Sequence, residues 1–103
     1  MGTNRIIDEK LLEEKSTDGI ESIHTYPNPT YDKLNVELNS SIESNVQVSM
    51  INSQGQLVNQ KLINTTIGRS NITIDLSDYS PGIYFLHVIS GEQKFVEKIS
   101  VIR

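Results

Sequence analysis

The clearest structural pattern in the chain is PGIYFLHVISGEQKFVEKISVIR, residues 81–103. Two apolar runs, over residues 82–90 and 93–102, are separated by the turn residues Ser90-Gly91-Glu92. Glycine is favoured there because a tight turn between antiparallel strands needs a residue with positive φ. The pattern therefore predicts a β-hairpin, with Tyr79-Ser80-Pro81-Gly82 as the turn before it. We expect the free end of the last strand, up to Arg103, to be available for recognition by a partner.

The same alternation of apolar and polar residues extends toward the N-terminus. It occurs in Leu34, Val36 and Leu38, in Val46, Val48 and Met50, and in Ile72, Ile74 and Leu76. Such alternation is typical of half-buried antiparallel strands. With the final hairpin, it predicts seven strands over residues 22–26, 33–38, 45–52, 56–63, 70–76, 82–90 and 93–102. Asn52-Ser53-Gln54-Gly55 predicts a hairpin between the third and fourth strands. This spacing favours an all-β, seven-stranded antiparallel sandwich of immunoglobulin or fibronectin type, with an open barrel as the second possibility.

Residues 5–15 carry a different pattern. Ile6, Ile7, Leu11 and Leu12 have helical spacing, with Glu and Lys between them. An isolated helix of this length is marginal in water, so we expect it to pack on its own domain or to be the tail of an upstream one. The chain thus divides into a short helix or upstream tail over residues 1–15, a linker over residues 16–21 and one sandwich domain over residues 22–103.

Composition excludes several classes of function. The formal charge of −4 argues against a nucleic-acid partner, which requires clustered Lys and Arg. The sequence contains no apolar run of about 18 residues, so we expect no membrane-spanning helix. Residues 1–10 lack the apolar core of a signal peptide. The absence of Cys excludes disulfides and thiol chemistry. No metal-binding motif is present, and we expect no cofactor.

The side chains offer little for catalysis. His24 and His87 are the available imidazole bases, and neither has a nucleophile-like context. Asp75 and Asp78 flank a turn where Asp commonly caps the backbone. We therefore predict a protein that is not an enzyme. Tyr84, on a core-patterned strand, fits the tyrosine corner of such sandwiches, in which the hydroxyl pins a nearby loop.

The segment Tyr26-Pro27-Asn28-Pro29-Thr30-Tyr31-Asp32 is the least ordinary in the chain. Proline lacks an N–H and holds the backbone extended, so this segment belongs at a sheet edge or in the connection after the first strand. Two roles fit it equally well: protection of an edge against unwanted strand pairing, or recognition by a partner.

Several motifs occur together in a characteristic order. They are Tyr26-Pro27-Asn28-Pro29 with Asp32, Ser53-x-Gly55, Ile74-Asp75-Leu76-Ser77, Pro81-Gly82-Ile83-Tyr84-Phe85 and Lys98-Ile99. Over residues 22–103 this order resembles the type A C-terminal sorting domain of the type IX secretion system, found on cargo proteins of Bacteroidetes. The family often has paired lysines in its last strand, whereas here Glu97 precedes Lys98.

The resemblance implies a non-catalytic signal that directs attached cargo, which lies outside this chain, through the type IX outer-membrane translocon. A surface sortase then usually removes the domain, and the cargo becomes secreted or bound at the cell surface after passing the periplasm and outer membrane. The implied recognition residues are Pro27, Asn28, Pro29, Gly82, Tyr84, Lys98, Ile99, Val101 and Arg103. The expected cleavage region is Ser16-Thr17-Asp18-Gly19-Ile20. We expect a receptor to add a strand along an exposed edge of the last strand.

Two other functions fit the same fold. An adhesion or carbohydrate-binding module would use exposed aromatic side chains, for which Tyr26, Tyr31 and Tyr79 are candidates. A structural module would pair edge strands of several copies into an oligomer. Glycan binding that is lost on replacing the tyrosines would favour the first, and a monomer at every concentration in light scattering would exclude the second.

Overall fold

The computed structural model describes residues 18–103, which form seven β-strands. The strands are β1 (Ile20–Tyr26), β2 (Lys33–Ser40), β3 (Ser44–Asn52), β4 (Leu57–Thr65), β5 (Gly68–Asp75), β6 (Gly82–Ser90) and β7 (Gln93–Val101). Every strand pair is antiparallel. No helix occurs within residues 18–103. The helix predicted over residues 5–15 lies outside the described range.

The strands form two sheets. One has the order β1-β2-β5 and the other the order β4-β3-β6-β7. Seven antiparallel strands in two sheets confirm the predicted all-β class and the predicted number of strands. The first strand begins at Ile20, ahead of the predicted start at residue 22, so Ile20 and Glu21 of the predicted linker lie within β1.

One hydrophobic core gathers side chains from both sheets. Alternate residues of β2, β3 and β6 supply most of it, because successive side chains in a strand point to opposite faces. The buried apolar residues are Ile20, Leu34, Val36, Leu38, Val46, Val48, Met50, Ile74, Leu76, Tyr84, Leu86, Val88, Ile99 and Val101. Full burial of one aliphatic side chain contributes about 1.5–3 kcal/mol. Ile99 and Val101 therefore hold the last strand in the fold.

Turn residues define the two predicted hairpins. Between β3 and β4, the Asn52 side-chain oxygen accepts the N–H groups of Gln54 (3.0 Å) and Gln56 (2.9 Å), and Gly55 has φ 86°. Between β6 and β7, Gly91 has φ 59°. Glycine is favoured at positive φ because it has no Cβ to clash with the backbone. Both hairpins are confirmed.

Candidate functional site

The loop between β1 and β2 lies against the last strand. The Asn28 side chain contacts β7 through both polar atoms: Nδ2 donates to the Lys98 carbonyl (2.8 Å), and Oδ1 accepts the Ser100 N–H (3.0 Å). The loop backbone continues the contact. The Thr30 N–H donates to the Ser100 carbonyl (2.8 Å), and the Ile102 N–H donates to the Thr30 carbonyl (2.9 Å). We call these four hydrogen bonds the Asn28 clamp.

The composition of the loop explains the form of the clamp. Pro27 and Pro29 have no N–H to offer β7, so the donors come from the Asn28 amide and the Thr30 backbone. Both peptide bonds that precede these prolines are cis. Thr30 is completely buried, and its hydroxyl donates to the Lys33 carbonyl at 2.6 Å. That bond connects the loop to the first residue of β2.

The Asn28 clamp covers part of the outer edge of β7. Thr30 forms a parallel bridge with Val101, and the outer main-chain groups of Ser100 are paired with the loop. This part of the edge is not exposed, contrary to the expectation that a receptor adds a strand along it. The geometry matches instead the edge-protecting role considered for the proline-rich segment.

A second set of contacts holds the connection between β5 and β6. The Arg103 guanidinium Nη2 donates to the Leu76 carbonyl (2.7 Å) and to the Tyr79 carbonyl. The Tyr84 hydroxyl donates to the Ser80 carbonyl at 2.6 Å, and the ring centroids of Tyr79 and Tyr84 are 5.5 Å apart. The hydroxyl of Tyr84 thus pins the loop before its own strand, which confirms the predicted tyrosine-corner role.

These contacts join segments whose order along the chain can be compared with known proteins. A family model described as the secretion system C-terminal sorting domain matches residues 24–102. The chain belongs to this family of type IX secretion sorting domains. The matched range contains the β1–β2 loop, the tyrosine corner and β7, so it includes both sides of the Asn28 clamp.

Parts of three solved proteins are similar in structure to this sorting domain. Dimeric latent PorU from Porphyromonas gingivalis has a TM-score of 0.62 and 24% identity, over 78% of this chain and 9% of that one. A β-glucosidase from Kluyveromyces marxianus has a TM-score of 0.49 and 18% identity, over 82% and 14% of the two chains. A β-glucosidase from Bifidobacterium adolescentis has a TM-score of 0.45 and 17% identity, over 82% of this chain and 17% of that one. The chain thus spans a small part of each of these proteins. No curated protein matches it.

The recognition residues predicted for the sorting domain fall into two groups. The exposed residues are Pro27, Asn28, Pro29, Gly82, Lys98 and Arg103, and the buried ones are Tyr84, Ile99 and Val101. The structure brings members of both groups together, because the Lys98 carbonyl binds Asn28 and Gly82 pairs with Val101 across β6 and β7. A partner can touch the first group, whereas the second group belongs to the core.

The predicted cleavage region is described in part. Ser16 and Thr17 lie outside the described residues, and Asp18 is exposed. Gly19 and Ile20 are engaged in hydrogen bonds, and Ile20 is the first residue of β1. Cleavage in this region stays a prediction.

Two important residues were missed from the sequence. The sequence places Thr30 only within the proline-rich segment after the first strand, although a Thr that follows a Pro-Asn-Pro segment can pair through its backbone once the prolines end. Gln93 was assigned to a strand without a specific partner. Its side chain binds Ile20, which is 73 residues away, and no local sequence pattern marks that contact.

Side chains outside the Asn28 clamp support turns and packing. Hydrogen bonds from the Ser77 hydroxyl and backbone lower the pKa of Asp75, whose Oδ1 accepts the Ser77 N–H at 3.0 Å. Burial raises the pKa of Tyr79 above its usual range. Within residues 18–103, no group of three or more His, Asp and Glu side chains is placed to hold a metal ion. No helix in that range is long and apolar enough to cross a membrane.

Proposed function

We propose that this domain is a non-catalytic sorting signal that directs attached cargo through the type IX outer-membrane translocon. The family match over residues 24–102 is the observation that carries the proposal. After transport, a cell-surface sortase usually removes the domain, and the cargo is secreted or attached to the cell surface. The partners are therefore the translocon, the sortase and an upstream cargo domain.

The surface that the translocon contacts is centred on the Asn28 clamp. Pro27 and Pro29 are exposed apolar residues, and their backbone is rigid because proline restricts its own φ. The Lys98 backbone is bound by Asn28 while its side chain is exposed, which places a positive charge on the same strand segment. Residues 22–103 carry six Lys and Arg and seven Asp and Glu, a formal charge of −1, so the exposed Lys98 adds a local positive charge to a nearly neutral domain.

The remaining recognition residues position this surface. Asn28 and Arg103 bind the backbone of neighbouring segments, and Tyr84 pins the loop before β6. Ile99 and Val101 fix β7 by burial in the core. Gly82, with φ 151°, begins β6 opposite Val101. The signal in this proposal is a folded surface whose parts come from both ends of the domain.

The strand order supports a fibronectin-type sandwich as the finer description of the fold. A three-stranded sheet β1-β2-β5 and a four-stranded sheet β4-β3-β6-β7 share one core. Short antiparallel strands divided between two such sheets are typical of this group of folds. The short helix over residues 5–15 remains part of the proposal.

Carbohydrate binding is the competing function. Tyr26 and Tyr31 are exposed, but Tyr79 is half-buried and packs on Tyr84, which leaves two of the three candidate tyrosines for a glycan. The family match favours sorting over adhesion. A glycan-array signal that disappears in Tyr26→Ser and Tyr31→Ser would reverse this preference.

The proposal is tested by moving the domain to a reporter. Residues 16–103 are fused behind a signal peptide and a fluorescent protein in a host that has a type IX system. We expect the reporter in the medium or on the cell surface. The same reporter without residues 16–103, and the full fusion in a strain without the translocon, should both remain in the periplasm. Periplasmic retention of the full fusion in the competent strain would contradict the proposal.

A further inference from the structure

The start of β1 is held by a side chain from the last hairpin. The Gln93 amide binds both main-chain groups of Ile20: Oε1 accepts the Ile20 N–H (2.9 Å), and Nε2 donates to the Ile20 carbonyl (3.0 Å). Gln93 is the first residue of β7, and Ile20 is the first residue of β1. The Gln93 side-chain amide therefore makes the main-chain hydrogen bonds that a neighbouring strand would make at the start of β1.

The preceding residue, Gly19, is bound by Ser40 and Ser41 at the end of β2. The Gly19 carbonyl accepts the Ser41 N–H (2.8 Å), and the Ser40 hydroxyl donates to it as well (3.2 Å). The Gly19 N–H donates to the Ser41 hydroxyl (3.0 Å). We call the contacts of Gly19 and Ile20 with Gln93, Ser40 and Ser41 the Gln93 bracket. Asp18, immediately before it, is exposed.

Gly19 and Gln93 depend on one another. Gly19 has φ 123°, a conformation that other residues rarely adopt. A Cβ atom at this position would overlap the Gln93 side-chain oxygen that accepts the Ile20 N–H. Any larger residue at position 19 therefore displaces Gln93 as well as straining the backbone. Replacement of either residue opens the same bracket.

The bracket has a consequence for proteolysis. Proteases bind a substrate as an extended segment and use its main-chain N–H and C=O groups, which must be free of other partners. Hydrolysis then breaks one C–N bond: the water oxygen bonds to the carbonyl carbon, and a proton goes to the new amino terminus. In the folded domain, the main-chain groups of Gly19 and Ile20 are already bonded within the protein.

We propose that the Gln93 bracket sets the proteolytic boundary of the domain. The Asp18–Gly19 and Gly19–Ile20 bonds are closed to a processing protease while the bracket is intact, because the Gly19 N–H and both main-chain groups of Ile20 are bonded within the domain. This narrows the predicted cleavage region of residues 16–20 to the peptide bonds that precede Asp18–Gly19. That the processing enzyme is the surface sortase rests on the proposed sorting function, whereas the boundary itself does not.

The boundary is tested by limited digestion of the full 103-residue chain with a broad-specificity protease such as proteinase K, followed by mass spectrometry of the resistant fragment. For the wild type, we expect a resistant fragment that begins at or before Asp18. In Gln93→Ala and in Gly19→Ala, we expect cleavage within β1 to become about tenfold faster, because cleavage follows the population of the open form. Gln60→Ala, which changes an exposed glutamine on β4, should keep the wild-type boundary.

Two further variants separate the bracket from general unfolding. Gln93→Glu keeps an acceptor for the Ile20 N–H and loses the donor to its carbonyl, so it should open β1 less than Gln93→Ala. The double variant Gly19→Ala/Gln93→Ala should open β1 by less than the sum of the two single effects, since the contacts of Gln93 are lost only once while the backbone strain at position 19 remains. A wild-type boundary inside β1, or an unchanged boundary in both single variants, would overturn the proposal. The digestion needs no secretion host, so its result is independent of the sorting assay.

Discussion

Asn28 connects two segments that lie 70 residues or more apart in the sequence. Asn28→Ala removes both side-chain hydrogen bonds to β7, and each such bond has a net value of about 0.5–1.5 kcal/mol. We expect the free energy of unfolding, measured by urea denaturation, to fall by about 1–2 kcal/mol. Asn71→Ala is the matched control, because Asn71, in β5, is also exposed and its side chain has no hydrogen bond among the described residues. Equal stability of the two variants would contradict the Asn28 clamp.

Arg103 offers a second comparison between similar residues. Its guanidinium binds two backbone carbonyls in the β5–β6 connection, while Arg69 makes an exposed ion pair with Glu37 at 3.7 Å. Hydrogen bonds from a charged donor contribute about 1.5–3 kcal/mol, and exposed ion pairs about 0–1 kcal/mol. We expect Arg103→Ala to shift the thermal midpoint clearly downward and Arg69→Ala to shift it little. The reverse order would show that Arg103 does not hold this connection.

Tyr79 predicts a dependence of stability on alkaline pH. Burial raises its pKa in the folded state, so the folded protein holds this proton more tightly than the unfolded chain. The resulting stabilisation is complete below the unfolded pKa of about 10 and is lost as pH rises through the higher folded pKa. Between about pH 8 and about pH 11, the urea midpoint of the wild type should therefore fall more than that of Tyr79→Phe. Parallel curves for the two proteins would contradict this assignment.

At the scale of elements, β7 contains core residues and also residues that we propose for recognition. Ile99 and Val101 are fully buried, and each contributes about 1.5–3 kcal/mol to a domain whose total stability is about 5–15 kcal/mol. We expect deletion of residues 99–103 to abolish the cooperative unfolding transition in circular dichroism. Deletion of residues 102–103 should leave a weaker but cooperative transition. Loss of secretion after the longer deletion would therefore report unfolding, and a cooperative transition near the wild-type temperature would contradict the assigned role of β7.

The strands were predictable from the sequence because apolar and polar residues alternate in a strand that has one face on the core and the other in solvent. Leu34, Val36 and Leu38 repeat with a period of two, which is the repeat of a half-buried strand. The start of β1 was not predictable in the same way. The pairing of β1 with β2 shifts register between Ile20 and Ser22, and this irregularity interrupts the alternation. A pattern-based boundary therefore falls too late.

Only some members of the candidate site, and none of its geometry, were predictable from the sequence. The order of the motifs identified Pro27, Asn28 and Lys98, because a family resemblance depends on residue types and spacing. The Asn28 clamp itself joins a side chain to the backbone of a distant strand. Such bonds leave no periodic signal in either segment, so only the folded chain reveals which edge the loop covers.

At the scale of the whole molecule, the Asn28 clamp and the Gln93 bracket close the same side of the fold. β1 is an edge strand of one sheet and β7 is an edge strand of the other. The Gln93 bracket joins the beginnings of these strands, and the Asn28 clamp joins the loop after β1 to the last part of β7. The proposed sorting surface is thus attached to a closed edge, which protects the sheets from unwanted pairing. If the proposal holds, recognition by the translocon depends on exposed side chains at this edge.

Two lysines on β7 allow this dependence to be measured. Lys94 and Lys98 are both exposed on the same strand, and the Lys98 carbonyl is part of the Asn28 clamp. The measurement is the ratio of extracellular to periplasmic reporter for fusions that carry wild-type, Lys98→Glu and Lys94→Glu domains, each first shown to unfold at the wild-type temperature. We predict that Lys98→Glu lowers the ratio at least about tenfold, since reversing a charge at a complementary contact costs more than about 1.4 kcal/mol, while Lys94→Glu matches the wild type. Equal ratios for the two variants would contradict a sorting surface centred on the Asn28 clamp.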